Sequence, residues 1–362
     1  MGTSFRHIRI DELESYGKSE AYLRLSSVPI TFQRIVSHVR NPRAEASDVA
    51  LILAENEKGE LLGFIGLLPD LLFIPVKEKA YWISCWWIDQ VKGKNVGVPL
   101  LLSAYKASHG KLLADSVPNT ISIFKASRLF FVAEPKEGLR VFLRPCLQKL
   151  VERKKPDWQF EQLVRISDKV LNLLFSPFAW MIKTLQSSPL ESKRLLLLDE
   201  EQGAFLQKHL QGGYFQRGTA EWNWIVKYPW LNDSRSPKSS LIAHYPFSYG
   251  VSHFQNHLFA LYKNNTQVAL LFLTERDRSV KLHYAYYDAQ WREEIAHCIE
   301  TLLYQLGASE FTTFDPLLKE SLAKRFRVGY KHTIYYQYVW AKDLRLQNTT
   351  GLQFGDGDAI FT

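Results

Sequence analysis

The sequence predicts a mixed α/β (α+β) protein. It consists of two domains with similarly ordered elements, each a mixed, mostly antiparallel sheet flanked by helices, joined by a helical connector. Three observations lead there. The chain has 362 residues at 42.0 kDa, more than one core usually covers. Hydrophobic residues make up 46% and charged residues 23%, the balance of a folded globular chain rather than a disordered or fibrous one. The same order of elements also occurs twice: hairpin, central strand, helix, strand, helix, strand. The repeat is one of topology, not of sequence identity. The expected divisions are 1–145 for the first domain, 146–192 for the connector, 193–345 for the second domain and 346–362 for a tail.

In the first half, Val49–Ala54 and Leu61–Leu68 are apolar, β-rich runs around the turn 55–60, the pattern of an antiparallel hairpin. Tyr81–Ile88 is apolar on both faces and reads as a central strand. A basic turn, Gln90–Gly97, leads into a helical run over Pro99–Ser108. Lys111–Ser116 reads as a strand, and Asn119–Lys125 as a helix with Pro118 or Asn119 at its start. Leu129–Ala133 and Leu139–Leu143 read as short strands.

From Pro145 to about Ser192, Lys149, Arg153, Lys154, Lys155, Arg165 and Lys169 alternate with Leu147, Leu150, Val151, Leu163 and Ile166 at helical spacing. This is the connector. The first pattern then returns. Arg194–Leu198 is a strand and Glu200–Leu210 a helix stopped by Gly212-Gly213. Leu258–Lys263 and Gln267–Thr274 form a hairpin around Asn264-Asn265, and Val280–Tyr287 is the central strand. A helix over Trp291–Leu306 ends at Gly307. Phe311–Phe314 is a strand, Pro316–Arg325 a helix and Thr333–Trp340 the last strand.

Composition also sets exclusions. Cys85, Cys146 and Cys298 are too few and too scattered for a disulfide framework or a zinc cluster, which points to buried thiols and a reducing, cytoplasmic setting. No pair of His244, His253, His257 and His283 has metal-ligand helical spacing, so no metal is expected. The first ten residues are polar and carry Arg6 and Arg9, unlike a secretory signal. No run reaches the roughly 18 apolar residues of a spanning helix. The nearest, Val170–Ile182, contains Pro177; it reads as a buried helix, with an interfacial helix, and so peripheral membrane contact, as the alternative. Net charge is +8, which suggests an anionic partner. Nucleic acid is not expected, because the basic residues are scattered and no recognition module is visible.

The chemistry concentrates at Lys92-Gly93-Lys94-Asn95-Val96-Gly97-Val98-Pro99, between the central strand and a helix. The first amides of a helix have no intrahelical partner and carry the positive end of its dipole. Glycines allow close approach, and Lys92 and Lys94 add charge. The combination fits a pyrophosphate cradle; a plain basic loop is the alternative.

This loop and the order of elements resemble the GNAT acyltransferase superfamily over about residues 45 to 145. The family's coenzyme A loop reads Gln/Arg-x-x-Gly-x-Gly/Ala, followed by Leu-Leu. Here Lys92 stands at the first position, Asn95 at the first glycine, Gly97 at the second, and Leu100-Leu101 follow. Residues 119–131 resemble the family's Asn…Leu-Tyr-x-x-x-Gly-Phe segment, with Phe124 where many members carry the Tyr that protonates the leaving thiolate. The resemblance implies acetyl-CoA or another acyl-CoA as co-substrate, held by Ile88, Lys92, Gly93, Lys94, Asn95, Val96, Gly97, Val98, Asn119 and Phe124. The second half has the same order but joins strand to helix through Asp288-Ala289-Gln290, with no cradle, and so looks like a degenerate copy. Paired domains of this kind resemble Fem-type peptidyltransferases and N-myristoyltransferases.

Asp89 follows the central strand and is either a general base or a cap of the glycine loop. Trp222 and Trp224, in a helix that Thr219 is expected to cap, either stack on an acceptor or pack a core. Asp356 and Asp358 lie between glycines ahead of Ile360 and Phe361. They belong either to a free terminus or to a tail that docks and offers carboxylates to an acceptor, as the C-terminus of N-myristoyltransferases does. The expectation is an acyl-CoA-dependent N- or O-acyltransferase acting on a polar small molecule or cell-envelope precursor. The alternatives are a non-catalytic binding protein on the same fold or a nucleic-acid binder.

Overall fold

The computed structural model describes residues 2–25, 27–74, 76–116, 118–147, 151, 161–185, 188–231, 245–247, 250–326 and 329–362. Contacts divide the chain into two compact units: residues 1–136, 197–254 and 335–362 in one, and 137–196 and 255–334 in the other.

The first unit opens with elements that had no clear periodic signal. These are β1 (Thr3–Arg9), the short helices α1 (Leu13–Gly17) and α2 (Glu20–Leu23), and α3 (Phe32–Val39). The predicted hairpin follows as β2 (Val49–Asn56) and β3 (Leu61–Leu72), then the central strand β4 (Glu78–Ile88). Helix α4 (Gly97–Ala107), β5 (Leu112–Ser116), α5 (Pro118–Ser127) and β6 (Phe130–Val132) complete the run. β1 to β4 pair antiparallel in sequence order.

β4 and β5 run parallel, but only Tyr81↔Leu112 and Trp82↔Leu113 are paired. Beyond Trp82 the strands share no pair, so residues 83–88 of β4 turn one backbone edge to a notch. β4 also carries a bulge: Gly66 faces Cys85 and Leu67 faces Ile83, leaving Ser84 as the extra residue. Ile52, Ile65, Leu67, Leu100, Leu101, Ala104, Leu112 and Phe124 pack one core of this unit. Leu13, Ile35, Leu51, Leu53 and Phe64 pack another beneath α1 and α3.

The second unit takes β7 (Lys136–Phe142), α6 (Glu161–Leu185), β8 (Glu191–Leu195), β9 (Phe254–Lys263), β10 (Thr266–Arg276), β11 (Ser279–Tyr287), α9 (Arg292–Leu306), β12 (Glu310–Thr313) and α10 (Pro316–Arg325). Helices α7 (Glu200–His209) and α8 (Thr219–Lys227) belong to the first unit. β8 lies three residues earlier than the predicted 194–198. Asn264 and Asn265 both adopt left-handed φ, 49° and 64°, the requirement of the tight hairpin turn. Gly307, at φ 71°, terminates α9.

β10 and β11 pair antiparallel with a bulge at His283: Phe272 faces Tyr284 and Leu273 faces Leu282. β11 and β12 pair in parallel up to Leu282↔Thr313. The second unit therefore repeats both the bulge and the parallel pair of the first. The sheets also take final strands that linear order does not reveal. β7 pairs with β12 in the second unit. The end of β13 (Tyr330–Ala341) pairs with β5, at Gln337↔Ser116 and Trp340↔Leu113, in the first.

Candidate functional site

The loop after β4 is built around Asp89. Its Oδ1 accepts from the amides of Val91 and Lys92, and its carbonyl accepts from Gly93. The amides of Lys92 and Val91 hold its carboxyl below the usual range, which makes it a weak proton acceptor. Of the two roles expected for Asp89, the geometry is that of the cap. Val96 N donates to Gly93 O. Among the described residues, no hydrogen bond ties down the amides of Lys94, Asn95, Gly97 or Val98. Four free donors therefore gather at the start of α4.

The charges here differ from expectation. Lys92 Nζ pairs with Glu60 Oε1 at 2.9 Å, whereas Lys94 is exposed and in no ion pair among the described residues. Gly97 is buried, and a Cβ there would meet Ile88 Cδ1 at 2.6 Å; one on Gly93 would meet the Leu62 carbonyl at 2.3 Å. Both glycines thus seat the loop against β3 and β4 instead of clearing room for a ligand. Val98 is exposed and Ile88 lies beneath Gly97.

Phe124 is fully buried, with its ring 4.9 Å from Phe130 and 5.8 Å from Trp86. It offers no group to a thiolate. Asn119 lies in the first turn of α5; its side chain is outside the described set, as is His244.

Trp222 and Trp224 are both buried in α8. Trp224 Nε1 donates to the Ser37 carbonyl and its ring meets Phe361 edge-on at 5.0 Å. Neither ring presents a face to an acceptor: both are buried, although positions two apart point to different sides of the helix. Thr219 is the first residue of α8, not its cap; the Gly218 amide instead donates to Glu221 Oε2.

The tail is docked in the first unit. Ile360 and Phe361 are fully buried. Phe361 stacks on Trp230 at 4.5 Å and 10°, and its carbonyl accepts from Trp230 N. Apolar burial alone does not offset the ordering of such a segment; backbone hydrogen bonds supply the rest. Arg217 Nη1 donates to the carbonyls of Gly355 and Gly357, at 2.9 and 3.2 Å, and Tyr338 Oη donates to that of Gln353. Asp356 accepts from Gln353 N, which makes it a local turn anchor. Gly357 sits at φ 86°, and a Cβ there would meet the Trp82 ring at 2.9 Å, so only glycine fits.

Arg217 also joins the buried charge cluster that sequence reading missed. Asp70, 1% exposed, receives Arg43 at 2.6 Å and Arg217 at 2.7 Å. Burial would raise its carboxyl, but the two guanidiniums outweigh that and hold it below the usual range. Arg43 also pairs with Glu221 at 2.8 Å. Asp70 follows Pro69 within β3, and its partners come from distant segments, so no local motif marks it.

Asp358 lies at the centre of the candidate site. Its carboxylate is 3.6 Å from Arg34 Nη2, and the same nitrogen donates to the Ser84 carbonyl at the β4 bulge at 2.8 Å. Arg34 Nη1 donates to Tyr245 Oη, and its guanidinium lies 3.9 Å from the Trp230 ring centroid. Asp115, near the end of β5, accepts from Tyr336 Oη at 2.7 Å. Burial first, then the negative charge of Asp115, push Asp358 well above the usual carboxylate range; Arg34 opposes them. Burial also raises the Cys85 thiol, so it is not an activated nucleophile. The β4 edge, β5, β13 and the tail thus surround one basic carboxylate whose side chain is 17% exposed. Among the described residues, no group of three or more His, Cys, Asp or Glu is arranged to hold a metal.

No family model and no curated protein matches the sequence. Solved structures do match in fold. A GCN5-related N-acetyltransferase from Anabaena variabilis has a TM-score of 0.50 at 10% identity, covering 93% of this chain and 72% of that one. An N-myristoyltransferase from Saccharomyces cerevisiae with bound myristoyl-CoA has a TM-score of 0.50 at 11% identity, covering 94% and 79%. The fold is GNAT-like.

Proposed function

We propose, with this GNAT-like fold as the premise, that the protein is an acyl-CoA-dependent acyltransferase acting on an amine or hydroxyl of a polar acceptor, with an acetyl group as the simplest donor. The single observation that carries the reading is the notch between β4 and β5, flanked at one end by free amides at the start of α4 and at the other by a basic carboxylate. The amides of Lys94, Asn95, Gly97 and Val98 would receive the pyrophosphate, helped by the Lys94 charge and the helix dipole. Free amides on the β4 edge would polarise the thioester carbonyl. The acceptor's nitrogen or oxygen attacks the carbonyl carbon, the carbon–sulfur bond breaks, and the acceptor's proton passes to the Asp358 carboxylate. A carboxylate whose affinity for protons is raised by burial suits that role. With Phe124 in place of a tyrosine, the departing thiolate takes its proton from solvent.

The test is release of free thiol from acetyl-CoA in the presence of primary amines and amino sugars. Turnover is expected with wild type and a fall of about two to four orders of magnitude in Asp358→Asn. Equal turnover in the two proteins would remove Asp358 from the chemistry. The second reading, a non-catalytic coenzyme-binding protein, is favoured by the missing tyrosine. It predicts a rise in Tm with acetyl-CoA but no thiol release with any acceptor.

A further inference from the structure

We propose that the second unit carries an anion site, in which Arg144 and Arg278 hold a phosphate-type dianion beside the C-terminal end of α9. Three backbone segments bring these residues together. Ser309 leads into β12. Its carbonyl accepts from the Leu143 amide at 2.8 Å on one side, and its amide donates to the Arg278 carbonyl at 2.8 Å on the other. Arg144 lies just beyond β7 and Arg278 just before β11. The two arginines therefore flank the small residues Gly307, Ala308 and Ser309. Neighbouring strands stand about 5 Å apart, so the two arginine backbones are separated by about 10 Å, within joint reach of two such long side chains. Arg144 Nη2 lies 4.0 Å from where a Cβ on Gly307 would stand, so it already leans over this strip.

Elsewhere in this unit arginines meet carboxylates: Arg140 pairs with Glu310 and Arg325 with Glu300, both at 2.8 Å. Among the described residues, neither the Arg144 nor the Arg278 side chain makes an ion pair or a hydrogen bond. Arg144 Nε is buried without a partner, a costly state for a donor. Burial first, then the charge of Arg278, lower the Arg144 pKa, so the two guanidiniums feel each other across the strip. Arg278 also sits at φ 64°, after Asp277 at 49°, in a turn that ordinarily takes Asn or Gly. The end of α9 favours positive charge, which makes the pair tolerable but gives neither guanidinium an acceptor. Tyr304, in the last turn of α9, has its pKa raised by burial and then by Glu300, with Arg144 opposing. Its hydroxyl stays protonated and is a further donor near Arg144. Two guanidiniums offer paired N–H groups and two positive charges. A tetrahedral dianion matches both, whereas one carboxylate matches half the charge. None of these residues belongs to the coenzyme or acceptor site proposed above, so the inference does not rest on acyl transfer.

The test is calorimetric titration of the full chain with inorganic phosphate, and separately with glycerol phosphate, at constant ionic strength and a mildly alkaline pH where both are dianions. Binding to wild type is expected, weakened about tenfold or more in Arg278→Gln and in Arg144→Gln and unchanged in Lys94→Glu. Arg278 is exposed, so Arg278→Gln should keep its circular dichroism and Tm even if Arg144→Gln folds poorly. Tighter binding of glycerol phosphate would assign the site to a phosphomonoester, and tighter binding of inorganic phosphate to the free ion; either supports it. Wild type that binds neither anion would overturn the proposal, as would Arg278→Gln that binds as well as wild type. A loss confined to Lys94→Glu would also overturn it, by giving the anion to the start of α4.

Discussion

The carboxylate of Asp358 and the guanidinium of Arg34 stand 3.6 Å apart, and that guanidinium also holds the Ser84 carbonyl at the β4 bulge. The tail is therefore coupled to the strand edge where a thioester would lie. Breaking this relationship should affect catalysis as well as stability, because Arg34 is buried and also holds Tyr245. Arg34→Met is expected to lower the turnover rate at saturating acyl-CoA while leaving coenzyme affinity within about twofold, since the amides proposed to receive the pyrophosphate lie elsewhere. A matching loss of coenzyme affinity would show that Arg34 serves the coenzyme.

The pH dependence follows from the direction of the Asp358 shift. Its pKa is raised on folding, so ionising it costs stability. That cost is absent below the unfolded carboxylate pKa and complete once pH passes the raised folded value. Asp358→Asn should therefore raise Tm at alkaline pH and leave it nearly unchanged in acid. The rate of the wild type should rise with pH through the same ionisation. His38 does not contribute, because burial holds its pKa down to about 3. Melting curves of the two proteins across pH check the sign; a variant less stable than wild type at alkaline pH would contradict it.

Asp70 should be among the most sensitive positions for folding. It is shared by Arg43 and Arg217, and Arg217 in turn holds the Gly355 and Gly357 carbonyls. Asp70→Ala would leave two buried cations without their common partner and should cost about 3–5 kcal/mol. Denaturant unfolding measures this. A loss under about 1 kcal/mol would mean that the cluster is wetter than its burial implies.

Much of this architecture was legible in the chain. Alternating and continuous apolar runs marked the hairpins and central strands, and Asn264-Asn265 and Gly307 marked a turn and a helix end. The glycine-containing loop was visible because it depends on a few adjacent residues. What was hidden depends on long-range contacts. β7 and β13 read as ordinary strands, and nothing local says which sheet they join. The Asp70 cluster draws on residues 43, 70, 217 and 221, each unremarkable alone. The aromatic pair Trp222 and Trp224 was visible, but whether its rings face a ligand or a core depends on packing partners such as Ser37 and Phe361.

The loop glycines make different predictions from the loop charges. Gly97→Val would drive a side chain against Ile88 and should cost about 1–3 kcal/mol of stability. Lys94 is exposed and in no ion pair among the described residues, so Lys94→Glu should leave Tm unchanged while weakening any coenzyme bound at the start of α4. Melting curves of the two variants separate packing from binding, and a destabilised Lys94→Glu would show an unseen structural partner.

The central claim is that one acyl-CoA binds per chain, at the notch of the first unit. The second unit is not expected to bind one, since there Asp288 leads straight into a short 3₁₀ turn over Ala289–Trp291 with no glycine-containing loop. Calorimetric titration with coenzyme A tests this most directly. The account predicts a stoichiometry of one in wild type and an affinity about fivefold or more lower in Lys94→Glu, from reversing a charge beside the phosphates. No binding in wild type, two sites per chain, or unchanged affinity in Lys94→Glu would contradict it.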